Sequence, residues 1–405
     1  MPERTPPGPW LRLTAVSAVA GSALVVASGA LGLGIAHPTL ALVALPPIVA
    51  LATAAYTVHP HLRTWWTAAL GLMLAEVASG AIVALAGGAA AHAVHVALAL
   101  AALAATAAAA GATMRATPVV AAPWRDYVTL TKPRIMSLLL LTGACGMVVG
   151  AGGAPPAGRF AAAMAGLALA CGGASALNHL IDRDLDRAMS RTDRRPVAAG
   201  RVAPSRALEF GLALSAGSFV LLSAAVNPLT AVLALAGNLF YVVVYTRLLK
   251  RSTPQNIVIG GAAGAIPPLV GWSAATGNLT VPALALFAIV FVWTPPHFWA
   301  LAILIKRDYE AAGVPMLPVV RGDAATARRI LAYTLVLVPV TLAPVAAGTL
   351  GPAYAVSAIV LGGCFAALAW RLECEATPRR AGVLFHFSLA YLALLYCAMA
   401  VDVLL

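Results

Sequence analysis

Residues 160–187 read F-A-A-A-M-A-G-L-A-L-A-C-G-G-A-S-A-L-N-H-L-I-D-R-D-L-D-R. Nothing before Asn178 in this stretch carries a charge, whereas its last ten residues hold three Asp and two Arg. A helix of roughly 20 apolar residues crosses the hydrocarbon core of a bilayer. The stretch therefore reads as a membrane span, near 159–179, that delivers an oxygen-rich patch to one membrane surface.

Outward from it, the same alternation of long apolar runs and short polar turns fills the chain. Spans are expected near 11–35, 38–58, 64–87 and 90–112. After a more polar stretch, 113–134, nine more follow at 135–152, 159–179, 207–226, 229–246, 256–274, 280–303, 327–348, 352–370 and 382–401. Of the 405 residues, 61% are hydrophobic and 10% charged, against about 25% charged in soluble domains. Backbone groups in lipid must pair within their own segment, so these spans are helices. The expected fold is an all-α integral membrane protein of thirteen spans, rich in the Ala and Gly that allow close helix packing. The first apolar run has no A-x-A-like cleavage site and reads as a retained span.

The net charge of +12 has a topological origin. With thirteen spans, one side holds the connections 4–12, 59–63, 113–134, 180–206, 247–255, 304–329 and 371–381. Every Lys and Arg except Arg159 falls there. The positive-inside rule puts that side, and the N-terminus, in the cytoplasm, and the C-terminal end near Asp402 outside. No basic-aromatic module accompanies the charge, so nucleic acid is not an expected partner. The cysteines (Cys145, Cys171, Cys364, Cys374 and Cys397) form no C-x-x-C pair and read as small packing residues. The polar stretch divides the chain into a nearly charge-free module, 1–116, and a larger one, 117–405, with ionisable cytoplasmic loops.

Four clusters in the larger module carry chemistry. Asn178, Asp182 and Asp186 are spaced i, i+4, i+8 and share one helix face, with Asp184 pointing away. Two carboxylates and an amide oxygen suit Mg²⁺, which keeps several waters and bridges to phosphate. Arg191, Arg194 and Arg195 follow in R-T-D-R-R-P, and guanidinium forks bind phosphate bidentately. In Y-T-R-L-L-K-R-S-T-P-Q-N, 245–256, Arg247, Lys250, Arg251, Gln255 and Asn256 lie at the next cytoplasmic turn. There Pro254 can start a helix whose free N–H groups face an anion. Finally, W-T-P-P-H-F-W-A-L, 293–301, places His297 beside a Pro pair inside a span, with Lys306 and Asp308 just beyond. An intramembrane His suggests function: proton transfer, a propionate partner or a haem-iron ligand.

These motifs, with L-T-K-P-R-I at 130–135 and L-K-R-S-T-P-Q-N-I-V-I-G-G-A-A-G-A-I-P-P-L-V-G-W at 249–272, resemble the protohaem IX farnesyltransferase (haem O synthase) branch of the UbiA-type intramembrane prenyltransferases. The resemblance runs from about 125 to the C-terminus. It implies nine helices around a lipid-accessible cavity, with farnesyl diphosphate bound through Mg²⁺ at Asn178, Asp182 and Asp186. Lys250 and Arg251 would contact the diphosphate. It further implies haem b as acceptor, a vinyl group attacking the farnesyl carbon, and water completing haem O. The superfamily's second Asp-rich motif is represented here only by His297 and Asp308, so a second carboxylate-bound metal is not expected. A second Asn common in the haem branch is His179 here.

In the front module H-P-T-L-A-L, 37–42, echoes H-V-A-L-A-L, 95–100. His37 and His95, with His92 as the alternative, could bind one haem from opposite faces. The pattern resembles a four-helix half of haem A synthase, which also makes that enzyme a candidate partner. The acidic residue that family carries before its first histidine is missing from 30–36, and the second half is absent. His59 and His61 lie on the other side and read as surface residues. Two other readings of the chain stay open: the same fold acting on a quinone precursor or chlorophyllide, and a transporter. Charges gathered at one membrane face, without repeated halves, weigh against the transporter.

Overall fold

The computed structural model describes residues 62–86, 89–114 and 122–405, together with isolated earlier positions. Among the described residues there is no strand. Two front helices, α1 (Arg63–Ala86) and α2 (Ala89–Met114), pack on each other. They correspond to the expected spans 64–87 and 90–112. The first two expected spans lie outside the described residues, so a total of thirteen is not established.

The larger module contains short α3 (Trp124–Leu130), then α4 (Pro133–Ala151), α5 (Ala157–Ile181), short α6 (Arg183–Ala188), α7 (Pro204–Ala225) and α8 (Pro228–Leu239). A π-helical segment, Phe240–Leu249, continues α8. Then come α9 (Asn256–Thr276), α10 (Val281–Leu304), short α11 (Lys306–Ala311) and α12 (Leu317–Arg321), α13 (Asp323–Ala346), α14 (Pro352–Cys374) and α15 (Pro378–Leu404). Counting α8 with its π segment, nine of these described helices are long and apolar enough to cross a membrane, matching the nine spans expected after residue 134.

The ends follow from sequence. Pro133, Pro204, Pro228, Pro352 and Pro378 each start a helix, where a missing N–H costs nothing. Gly152 (φ 64°) and Gly277 (φ 73°) end α4 and α9 in the left-handed conformation that only glycine adopts freely. Asp402 accepts hydrogen bonds from the backbone N–H of Gly351 and Tyr354, capping the positive end of α14.

Lipid supplies no hydrophobic drive between helices, so close backbone approach must hold the bundle. Helices α4 and α9 show this most sharply: a Cβ on Gly271 would lie 1.9 Å from the Gly143 carbonyl oxygen. Helices α5 and α7 meet similarly, a Cβ on Gly173 lying 2.8 Å from the Gly211 oxygen. Larger side chains fill the other half, where Tyr354, Phe365, Tyr391 and Tyr396 are fully buried.

Two local features differ from the sequence expectation, and both shape the site. The helix of 160–187 does not run straight through: α5 stops at Ile181 and Asp182 (φ −85°, ψ 4°) joins it to α6. The bonds Asp182 N–H to Asn178 O and Asp186 N–H to Asp182 O survive the junction, so the i, i+4, i+8 order is kept while its direction changes. The span expected at 229–246 widens into π geometry after Leu239, with Lys250 N–H bonding Tyr245 O. One extra residue per turn brings Thr246 and Lys250 towards Asn178 and Asp182.

Candidate active site

A cavity of about 540 Å³ opens between the helices at the end where the charged loops gather. Its body is apolar, lined by residues such as Leu138, Leu167, Ala234, Ile266, Val290 and Leu392. Its mouth is lined by Lys132, Asn178, Asp186, Arg191, Arg195 and Lys250.

Asn178 is the hub. Its amide donates to Asp182 Oδ2 at 2.7 Å and to Thr246 Oγ1 at 3.2 Å, and its Oδ1 accepts from Lys132 Nζ at 2.7 Å. Asp182, wholly buried, also accepts from Lys250 Nζ at 2.5 Å on Oδ2. Asp186, equally buried, is held by Arg195 through both oxygens, at 2.8 and 3.0 Å. Three cations thus face two carboxylates, leaving the mouth positive and suited to a polyanion.

Lys132 was not among the residues singled out from sequence. It is the one non-glycine described residue with positive φ, at 51°. Lys132 directly precedes Pro133, which begins α4, and its amine points inward to Asn178. Burial, then the nearby Arg195 and Lys250 charges, push its pKa down to about 7 against the pull of Asp182 and Asp186. Its backbone strain has a function-like setting. The signal available in sequence was only the K-P pair within L-T-K-P-R-I.

The donor set fits a hard cation arriving with a diphosphate. Among the described residues no three His, Cys, Asp or Glu side chains form a closed metal cage. The available donors are instead two carboxylates and one amide oxygen. Asp182 Oδ1 is buried without a hydrogen-bond partner. Such an unsatisfied anionic oxygen is costly unless a cation completes it. A partial oxygen shell, finished by water and phosphate, is how Mg²⁺ is usually held.

The other expected residues divide. Arg191 and His297 line the cavity. Asn256 is buried behind the mouth, 3.5 Å from the Lys250 carbonyl oxygen. Arg251 bonds the Ile181 carbonyl at 3.0 Å, tying the π segment to the end of α5. Asp308 accepts from Ser190 Oγ at 3.0 Å, and Lys306 pairs with Asp323 at 3.1 Å; neither lines the cavity. Arg194, Arg247 and Gln255 are exposed and also outside the lining. Asp184 is exposed and paired with Arg183, pointing away as its position in the stripe requires.

In the front module His95 is buried with Nε2 3.7 Å from Glu76 Oε1. His37 and the side chain of His92 lie outside the described residues, so a histidine pair is not placed.

A family model described as UbiA prenyltransferase family matches residues 139–395. A protein of Symbiobacterium thermophilum named protoheme IX farnesyltransferase is 54% identical over 281 residues, covering 69% of this chain and 94% of its own. One of the same name from Erythrobacter litoralis is 46% identical over 296 residues, covering 72% and 96%. Among solved structures, a digeranylgeranylglyceryl phosphate synthase aligns with TM-score 0.59 at 17% identity, over 69% of this chain and 98% of its own. A UbiA homolog from Archaeoglobus fulgidus bound to DMAPP and Mg²⁺ aligns with TM-score 0.53 at 18% identity, over 68% and 99%.

Proposed function

Because this chain belongs to the UbiA prenyltransferase family, among the protoheme IX farnesyltransferases, we propose that it transfers the farnesyl group of farnesyl diphosphate to a vinyl group of haem b. Water adds in the same reaction, and the products are haem O and diphosphate. The observation that carries this reading is the interleaving of oxygen donors and cations at the mouth of one greasy cavity: Asn178 and Asp186, with Asp182 buried behind them on Asn178 and Lys250, against Lys132, Lys250 and Arg195.

The geometry supports the following division of labour. Asn178, Asp182 and Asp186 would hold Mg²⁺, which when bound offsets negative charge on diphosphate oxygens. Lys250, Lys132, Arg191 and Arg195 surround the leaving group with positive charge, favouring loosening of the allylic C–O bond. The apolar wall accepts the isoprenoid and keeps water from the electron-poor carbon until the haem vinyl has attacked. His297 in that wall favours a haem over a quinone precursor, because an imidazole offers a metalloporphyrin a specific contact.

We further propose a cytoplasmic-membrane location with the charged mouth inside, on the strength of the one-sided Lys and Arg. For residues 1–116 we propose a haem-holding role through His37 and His95, with Glu76 orienting the latter, and hand-over of haem O to a haem A synthase.

The test is direct. Protein in lipid nanodiscs receives haem b, farnesyl diphosphate and Mg²⁺, and the extracted haem is weighed by mass spectrometry. A gain of one farnesyl group and one hydroxyl group is expected. Unchanged haem b would reject the proposal.

A further inference from the structure

His297 lies in the C-terminal half of α10 and is only 7% exposed. Trp293 stacks on its ring with centroids 4.4 Å apart and planes 15° apart; Phe385 of α15 stacks at 4.9 Å and 23°. The imidazole is thus held nearly parallel to an aromatic ring from each of two helices.

One nitrogen on that edge is spoken for. His297 Nδ1 lies 2.7 Å from the hydroxyl of the fully buried Ser388. That hydroxyl is also 2.6 Å from the Phe385 carbonyl oxygen. A carbonyl accepts only, and Ser388 has a single hydroxyl proton, so Ser388 donates to Phe385 and must accept from His297. The neutral ring then carries its proton on Nδ1 and a bare lone pair on Nε2. The Trp293 indole N–H, bonded at 3.0 Å to the Ser388 carbonyl oxygen, fixes the two helices in this register. Nε2 has no hydrogen-bond partner among the described residues, yet it is not sealed off: His297 lines the cavity.

We infer that Ser388 and the Phe385 carbonyl lock His297 as the Nδ1–H tautomer, so that Nε2 serves as an axial ligand to the iron of the acceptor haem. The inference rests on the reading of haem b as acceptor. A neutral imidazole whose far nitrogen donates a hydrogen bond is the usual form of a metal-binding histidine, and the partner both orients the ring and raises its basicity. The aromatic clamp sets the direction of the lone pair, and coordination along it pins the porphyrin at one point. That pinning holds the vinyl carbon at a fixed place relative to the diphosphate mouth, an orientation effect rather than a chemical one. Ser388 is thus a positioning residue. A proton-accepting role for His297 would put a new positive charge in a buried site with no carboxylate against it, a poorer use of the same geometry.

The test uses the full chain in nanodiscs, carrying His37→Ala, His59→Ala, His61→Ala, His92→Ala and His95→Ala so that residues 1–116 supply no imidazole. Ferrous haem b is titrated without farnesyl diphosphate, and resonance Raman reads the iron–histidine stretch. The band should be present in that background and absent after a further His297→Ala, and added imidazole should restore a low-frequency band. Ser388→Ala should keep the band at a shifted frequency and weaken haem binding about ten- to a hundredfold. A band unaffected by His297→Ala, or a Ser388→Ala spectrum and affinity identical to the parent, would overturn the inference. Ser388→Ala removes one oxygen and carries the test alone if His297→Ala does not fold. Product analysis of the unsubstituted chain separates the two ideas: farnesylated haem without a His297-dependent band sinks only the ligand assignment, while no farnesylated haem sinks the function itself.

Discussion

Asp182→Asn replaces one carboxylate oxygen by an amide nitrogen in a side chain that is wholly buried. Both groups that bond Oδ2, the Asn178 amide at 2.7 Å and Lys250 at 2.5 Å, are donors, so the new amide must turn its oxygen to them. Its NH₂ then occupies the place of Oδ1, which has no hydrogen-bond partner in the parent. Removing one member of a buried ion pair costs about 3–5 kcal/mol, and the retained hydrogen bond to a charged amine returns about 1.5–3 kcal/mol. Folding should therefore lose only about 2 kcal/mol. Activity should fall much further. A nitrogen carrying two hydrogens cannot ligate Mg²⁺, and one misplaced electrostatic contact in a preorganised site costs about 100- to 1,000-fold in rate. The assay is haem O formed per minute in nanodiscs at saturating Mg²⁺, with thermal unfolding in parallel. Asp184→Asn is the control: that carboxylate is 70% exposed and pairs with Arg183 at the surface, where such pairs are worth about 0–1 kcal/mol. It should retain at least about half the rate. Asp182→Asn within threefold of the parent, or Asp184→Asn equally inactive, would refute the reasoning.

Other outcomes follow from the same geometry. Lys250→Met should raise the KM for farnesyl diphosphate at least about tenfold, since a charged hydrogen bond is worth about 1.5–3 kcal/mol, while Arg247→Met, exposed outside the cavity lining, should leave it nearly unchanged. Chelation with EDTA should stop turnover and Mg²⁺ should restore it; full activity in EDTA would contradict the role given to Asn178, Asp182 and Asp186. Gly271→Ala forces α4 and α9 apart at a 1.9 Å contact and should lower the thermal midpoint by an amount equivalent to about 1–3 kcal/mol of overpacking, read by a scanning melt in lipid. His37→Ala with His95→Ala should remove any bis-histidine haem spectrum from the purified chain; a persisting spectrum would end the proposal for the front module.

The nine membrane-length helices described in the larger module were legible because each is bounded by strong local chemistry. Long apolar runs cannot lie anywhere but in the bilayer, and Pro133, Pro204 or Gly277 mark where they stop. The spacing of the acidic stripe was legible for the same reason: the i, i+4, i+8 backbone bonds survive a change of helix direction, so Asn178 and Asp186 line the cavity with Asp182 buried between them in the chain. What sequence did not reveal depends on long-range closure. Lys132 reaches Asn178 across 46 positions through a backbone conformation that no composition rule expects of lysine. Ser388 meets His297 across 91 positions, between helices whose relative register is set by packing and by the Trp293 bond. Conversely, Arg194 and Gln255 belong to the right loops and Arg247 to the end of the π segment, yet all three lie outside the cavity lining, because a polar residue near a membrane face states which face it prefers and not which way it turns. The π segment explains why the third cluster splits. Widening the helix by a residue per turn rotates Lys250 inward and leaves Arg247 on the outer side. A deletion of one residue within Phe240–Leu249 that restored α geometry would therefore separate Lys250 from Asp182 while leaving the span apolar and long enough to cross.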